Sequence, residues 1–258
     1  MINSRAKKEQ TYTDKALKKL SDLNFIQSGH TETLEIFPYC AESAYQLLNK
    51  LEELTFLNQE VVNLAFANID STPEIKDIYE NHPESFTRFD NIAILLKHPK
   101  YLGVIVEVFA LIAQIPSLNK SKNYTAILQC VERKCDIEQL SFLYLNFYAL
   151  AHIGVEKHGL LPDYKNSLLT QENFDSLLRF ADSSKKIWRA YREINEMTQD
   201  KFTTLIIAFA KNLTYQKPKE NRFLSIFSSK KVPHKKAEHK SENEHSQQNS
   251  SKSLFTWS

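Results

Sequence analysis

Glycine is unusually scarce in this chain, with only 4 among 258 residues. Average usage of about 7% would give roughly 18. Glycine-rich phosphate loops and dinucleotide-binding folds need glycine where the backbone approaches a ligand. Hairpin-rich β proteins need it where φ is positive. The scarcity therefore argues against these classes and favours a helical protein whose turns use Pro, Asn, Ser and Asp.

Cysteines and long apolar runs are also few. Cys40, Cys130 and Cys135 form no framework of pairs, so we expect reduced, structural thiols and an intracellular working compartment. The longest apolar stretch, residues 101–115, contains Glu107 and is too short for a bilayer core of about 30 Å. Residues 1–20 are polar and lysine-rich. We therefore expect neither a transmembrane segment nor a signal peptide.

Motifs that carry chemistry are missing from the sequence as well. It contains no G-x-S-x-G, H-E-x-x-H or G-K-[ST] pattern, and His152 and His158 do not share a helix face. We expect no catalytic residue, no cofactor and no metal. An enzyme whose site is assembled from distant residues stays open as an alternative.

Helical periodicity dominates what is present, and we predict an all-α fold. Stacked helical hairpins, forming either a degenerate α-helical repeat or an irregular helical bundle, are expected over residues 11–213. Residues 1–10 are expected to be a disordered lead, and residues 214–258 a disordered, basic tail. Gly29 is expected to end the first helix, and an aromatic helix is expected from Asp136 to Gly159.

Three helix starts share one pattern, with a polar cap at Asn58, Thr170 or Thr198. An acidic residue follows in the first turn, where it complements the helix dipole. Apolar residues directly before the cap and five positions later predict a hydrophobic staple. Weaker relatives are predicted at Asn91 and Asn123, so the repeat is degenerate.

The segment Leu168–Leu178, which reads LLTQENFDSLL, resembles the helix start of α-helical effectors of Legionella-like intracellular bacteria. Residues 197–206 resemble it too, with Asp200 and Lys201 as departures. The resemblance implies delivery by a Dot/Icm type IV secretion system, from the bacterial cytoplasm into the host cell cytoplasm. Such effectors often end in a Ser- and Glu-bearing signal with a late apolar residue. The matching positions here are Glu238, Glu242, Glu244, Leu254 and Phe255.

Charge is divided unevenly along the chain. Residues 1–210 carry 23 Lys+Arg against 27 Asp+Glu, whereas residues 211–258 carry 10 against 4. The mildly acidic body predicts no nucleic-acid partner. The possible contacts to an anionic partner lie on one predicted helix and in the tail: Lys185, Arg189, Arg192, Lys217, Lys219, Arg222, Lys230 and Lys231.

Two binding functions fit these features. The first is a non-catalytic interaction module that acts on a host protein. The second is a membrane-associated adaptor whose residues 217–236 contact an anionic lipid surface. In a membrane-associated adaptor, residues 217–236 would lie on the lipid surface. In an interaction module, the same residues could dock on the helical body. A solvated helix face and a generic tail would explain the same charges.

Overall fold

The computed structural model describes residues 2–133, 135–153, 156–158 and 161–211. This part of the chain contains twelve α-helices and one short β-hairpin, which confirms the predicted all-α fold. The helices are α1 (Ile2–Asp22), α2 (Ser28–Ile36), α3 (Ala41–Glu53), α4 (Gln59–Ala67), α5 (Thr72–Asn81), α6 (Phe89–Lys97), α7 (Leu102–Gln114), α8 (Ser121–Glu132), α9 (Ile137–Ala151), α10 (Gln171–Arg179), α11 (Ser184–Arg192) and α12 (Gln199–Ala210). The tail predicted for residues 214–258 lies outside the described residues.

The helices stack in two layers, as the prediction of helical hairpins requires. Layer B consists of α1, α3, α5, α7, α9 and α11, each packed against the next. Layer A contains α2, α4, α6, α8, α10 and α12, of which α4, α6, α8 and α10 pack in succession. Each hairpin consists of one layer B helix followed by one layer A helix. The apolar side chains of a hairpin are buried in part by the neighbouring hairpins. This arrangement is a helical-repeat stack.

Three predicted helix caps are confirmed by side-chain hydrogen bonds. The side chains of Asn58, Thr170 and Thr198 each accept a hydrogen bond from the backbone N–H three residues later. Asp136 also caps its helix, in a reciprocal arrangement with Gln139. Each cap satisfies a backbone donor that the first helical turn leaves without a partner.

The weaker relatives at Asn91 and Asn123 are not caps, because Arg88 and Lys120 occupy the cap positions. Both asparagines lie three residues inside their helices and are buried, as is Asn173 in α10. The side-chain Nδ2 of Asn123 donates to the Leu118 carbonyl at 2.7 Å. Asn91 and Asn173 likewise donate to a preceding carbonyl. The shared feature of these repeats is therefore a buried asparagine in the first turn.

The same asparagines join successive layer A helices. Asn123 and Gln171 exchange two amide hydrogen bonds of 3.0 and 2.9 Å between α8 and α10. Asn173 and Gln199 exchange two of 2.8 and 3.1 Å between α10 and α12. We call these linked pairs the amide ladder. Because a buried amide needs partners for both its oxygen and its nitrogen, the ladder favours one stacking register.

The prediction that residues 1–10 are disordered is wrong, because residues 2–10 form the first half of α1. Ion pairs support this polar segment: Arg5 Nε lies 2.8 Å from Glu9, and Lys8 Nζ lies 2.7 Å from Glu42 on α3. Farther along α1, Ala16 and Leu20 are fully buried. The segment thus gains order from α3, a contact that its own composition does not reveal.

Two helices in layer B end with a residue in the left-handed region, where glycine is most common. Asn24 follows α1 with φ 56°, and Thr55 follows α3 with φ 61°. In both cases the next N–H reaches back to a leucine carbonyl at 2.8 Å, Phe25 to Leu20 and Phe56 to Leu51. Gly29 was predicted to have this role, but it lies in the first turn of α2.

An insertion interrupts the repeat between α9 and α10. The aromatic helix ends at Ala151 rather than Gly159. Strands β1 (Glu156–His158) and β2 (Leu161–Asp163) then pair antiparallel, and a 3-10 turn covers Tyr164–Asn166. Insertions in helical repeats form loops on one face, which is often the binding face.

Candidate interaction surface

Helix α11 carries the three described residues that the sequence predicts as contacts to an anionic partner. Ile187 and Ser184 are fully buried and anchor the helix. The Asn146 side chain on α9 donates to the Ser184 carbonyl at 3.0 Å, which fixes the start of α11 against its neighbour. Lys185, Arg189 and Arg192 follow one another at spacings of four and three residues, so they lie along one stripe of the helix.

The structure separates Lys185 from the other two basic residues. Its Nζ lies 2.6 Å from Glu138 Oε1 on α9 and 5.6 Å from the centre of the Phe142 ring. An ion pair at a half-exposed position adds little stability, but it occupies the ammonium group. Lys185 on α11 is therefore paired with a carboxylate on α9 and is not a free cation.

Arg189 and Arg192 are exposed, and neither makes an ion pair with any residue in the described part of the chain. Beside them Trp188 and Tyr191 stack with ring centres 5.5 Å apart and planes 7° apart. Both rings are half-buried, and burial raises the pKa of Tyr191. Two guanidinium groups on a well-anchored helix can each form paired hydrogen bonds with a carboxylate or phosphate.

The other predicted site residues cannot be placed. The predicted contacts Lys217, Lys219, Arg222, Lys230 and Lys231 lie outside the described residues. So do the predicted secretion-signal residues Glu238, Glu242, Glu244, Leu254 and Phe255.

A second surface feature, which the sequence reasoning missed, is a tyrosine cluster of Tyr144, Tyr148, His152 and Tyr164. Ring centres are 6.0 Å apart for Tyr144 and Tyr148, and 4.0 Å for Tyr148 and His152. Tyr164 reaches from the insertion to within 5.6 Å of the His152 ring. Tyr148 is 47% exposed, although large aromatic side chains are usually buried in the core. The spacing of four residues between the first three members was the available signal.

Polar groups of α7 border the tyrosine cluster. The Tyr144 hydroxyl lies 3.4 Å from Glu107 Oε2, and the Tyr164 hydroxyl donates to Gln114 Oε1 at 3.1 Å. Burial raises the pKa of Tyr144, and the Glu107 carboxylate raises it further. Burial likewise raises the pKa of Tyr164. These phenols consequently stay protonated and can act as hydrogen-bond donors at neutral pH.

The cysteines are held as thiols, in line with the structural role predicted for them. Burial raises the pKa of Cys40 to about 11 and that of Cys135 to about 12. Burial also raises the pKa of Cys130, and all three are unpaired. Because the thiolate is the nucleophilic form, these positions disfavour nucleophilic chemistry.

The described residues contain no group of three or more His, Cys, Asp or Glu side chains placed to hold a metal ion. None of the described helices combines the length and apolar character that crossing a membrane requires.

Comparison with family models, curated proteins and solved structures gave no match to this chain. The functional assignment therefore depends on the surface chemistry of α11 and of the tyrosine cluster.

Proposed function

We propose that this protein is a non-catalytic protein-interaction module that acts on a host protein after delivery as a bacterial effector. The exposed guanidinium groups of Arg189 and Arg192 on α11, which pair with no carboxylate in the described part of the chain, carry the proposal. They stand next to the stacked rings of Trp188 and Tyr191. Arginine and aromatic side chains contribute a large share of the binding energy in protein interfaces.

The anchoring of α11 supports this role because a rigid surface loses little entropy on binding. Ile187 is fully buried, the Ser184 carbonyl accepts from Asn146, and Lys185 pairs with Glu138. Such preorganisation favours affinity. A stack of hairpins also presents a broad face on which several helices can contact one partner.

The proposal is tested by affinity capture from eukaryotic cell lysate with the full chain as bait. The double variant Arg189→Glu/Arg192→Glu replaces two exposed cations of layer B with anions. It should lose the captured partner, since like charges now face the partner's acidic groups. Raising the salt concentration should weaken capture by the unmodified chain.

Arg133→Glu/Arg179→Glu is the matched control. It makes the same change in charge at two exposed arginines at the ends of layer A helices: Arg133 directly follows α8, and Arg179 is the last residue of α10. This control should retain the partner, and circular dichroism should show that both variants keep their helical content. Equal capture by the two double variants would contradict a role for α11.

Delivery into the host is a separate part of the proposal and is supported by the resemblance of Leu168–Leu178 and of the C-terminal composition. It is tested by fusing a translocation reporter to the full chain and to a chain that ends at residue 237. The full chain should enter host cells through the type IV system, and the shortened chain should not. Normal delivery of the shortened chain would refute a signal in residues 238–258.

A further inference from the structure

The tyrosine cluster lies next to a carboxylate that has no basic partner among the described residues. Glu107 is exposed on α7, and no Lys or Arg in the described part of the chain pairs with it. Among the described residues, the Glu107 carboxylate accepts a long hydrogen bond from the Tyr144 hydroxyl, which lies 3.4 Å from Oε2. Tyr148 on α9 is 47% exposed, and its ring centre lies 6.0 Å from that of Tyr144. We propose that Glu107 and the tyrosine cluster bind an arginine side chain presented by the partner protein.

The surface of α7 leaves room for such a side chain. Gly103 is exposed, and a Cβ placed on it would meet no atom within 4 Å. Val106 and Ala110 are half-exposed on the same helix and carry no long side chain. The methylene groups of an arginine could pack on these residues while its head group reaches Glu107.

The chemistry of the cluster favours a guanidinium ion over an anion. A carboxylate accepts two parallel N–H bonds from arginine, and the faces of tyrosine rings attract cations. The Tyr148 hydroxyl forms no hydrogen bond with the described residues, so it can accept one from a bound donor. An acidic side chain would instead face the negative charge of Glu107.

Arginine is also a better fit than lysine for this combination of groups. Its planar head can stack on a tyrosine ring and bond a carboxylate in the same pose. An ammonium ion is compact and more strongly hydrated, so it gains less from the ring. The surface should therefore distinguish the two basic residues.

The experiment is a titration of the full chain, labelled with carbon-13 in its tyrosine rings and followed by NMR. The probe is a blocked hexapeptide with two arginines separated by glycines, and the matched probe replaces both arginines with lysine. The arginine peptide should produce saturable shifts in the resonances of Tyr144 and Tyr148. It should bind at least about fivefold more tightly than the lysine peptide.

Variants identify the site by its chemistry. Glu107→Gln and Tyr148→Ala should each weaken binding of the arginine peptide by about fivefold or more. The controls Glu74→Gln and Tyr39→Ala change an exposed acid and an exposed tyrosine elsewhere in the structure, and they should leave binding unchanged. Equal binding of both peptides, or an equal effect of the control variants, would overturn the assignment.

This inference rests on the proposed interaction role but is tested without the partner. If the arginine peptide fails to bind while lysate capture still depends on Arg189 and Arg192, only the assignment of the tyrosine cluster is wrong. If capture fails and the peptide binds, the fault lies with the proposed function.

Discussion

Replacing Asn173 with alanine should destabilise the protein through loss of one step of the amide ladder. Asn173 is 3% exposed and makes three side-chain hydrogen bonds. Two of them join α10 to α12 through Gln199, and one, of 2.7 Å, holds the Leu168 carbonyl. A typical hydrogen bond contributes about 1 kcal/mol, and a buried partner left unsatisfied costs about 1–3 kcal/mol. Asn173→Ala should lower the free energy of unfolding by about 2–4 kcal/mol.

Urea unfolding of the full chain, followed by circular dichroism, measures this change. The double-mutant cycle with Gln199→Ala should give a coupling of at least about 0.5 kcal/mol, because each amide supplies the other's partner. Asn81→Ala is the control, since among the described residues that exposed side chain bonds only to the Asp77 carbonyl of its own helix. The control should change the free energy of unfolding by less than about 0.5 kcal/mol. An effect of Asn173→Ala no larger than this would refute a stabilising ladder.

Three more predictions concern strained, titrating and reactive groups. Thr55 is exposed and β-branched at φ 61°, so Thr55→Gly should raise the unfolding free energy by about 1 kcal/mol in thermal unfolding. Burial lowers the pKa of His82, so the unfolded chain binds a proton at this histidine more readily than the folded chain. The free energy of unfolding should therefore fall as the pH drops below about 6.5, and His82→Gln should reduce this dependence on pH. A pH-independent difference between the two chains would contradict this reasoning. Cys135, whose pKa burial raises to about 12, should resist iodoacetamide at pH 8 in the folded chain and react rapidly in urea. Peptide mass spectrometry measures this labelling, and rapid labelling of the folded chain would contradict the prediction by showing that the thiol is accessible.

Local signals gave the architecture of this protein correctly. The caps at Asn58, Thr170 and Thr198 could be recognised because a helix start needs acceptors for its free N–H groups, whatever lies around it. The same reasoning predicts weaker cap positions at Asn91 and Asn123, but the caps lie three residues earlier, at Arg88 and Lys120. Asparagine suits both a cap and a buried amide pair, and only the neighbouring hairpin distinguishes the two roles.

Non-local contacts account for the remaining differences. Residues 2–10 are helical with support from Glu42 on α3, and this partner is far away in the sequence. The chain after α1 and α3 enters the left-handed region at Asn24 and Thr55 rather than at a glycine. These two helix ends therefore lack the glycine by which such an end is usually recognised in a sequence.

The candidate surface was only partly predictable. The spacing of Arg189 and Arg192 indicates a basic stripe. The ion pair between Lys185 and Glu138, which removes Lys185 from the free cations of that stripe, could be recognised only from the position of α9. Tyr148 belongs to a strongly aromatic helix, which predicts burial, and its exposure follows from the packing of α9 between α7 and α11.

We propose that α11 binds a partner through Arg189 and Arg192. The most direct test of this claim is the dissociation constant between the full chain and the purified captured protein, measured for the layer B and layer A arginine variants at one ionic strength. Arg189→Glu/Arg192→Glu should weaken binding by about tenfold or more, while Arg133→Glu/Arg179→Glu should stay within about twofold of the unmodified chain. Equal dissociation constants for the two double variants would contradict the claim.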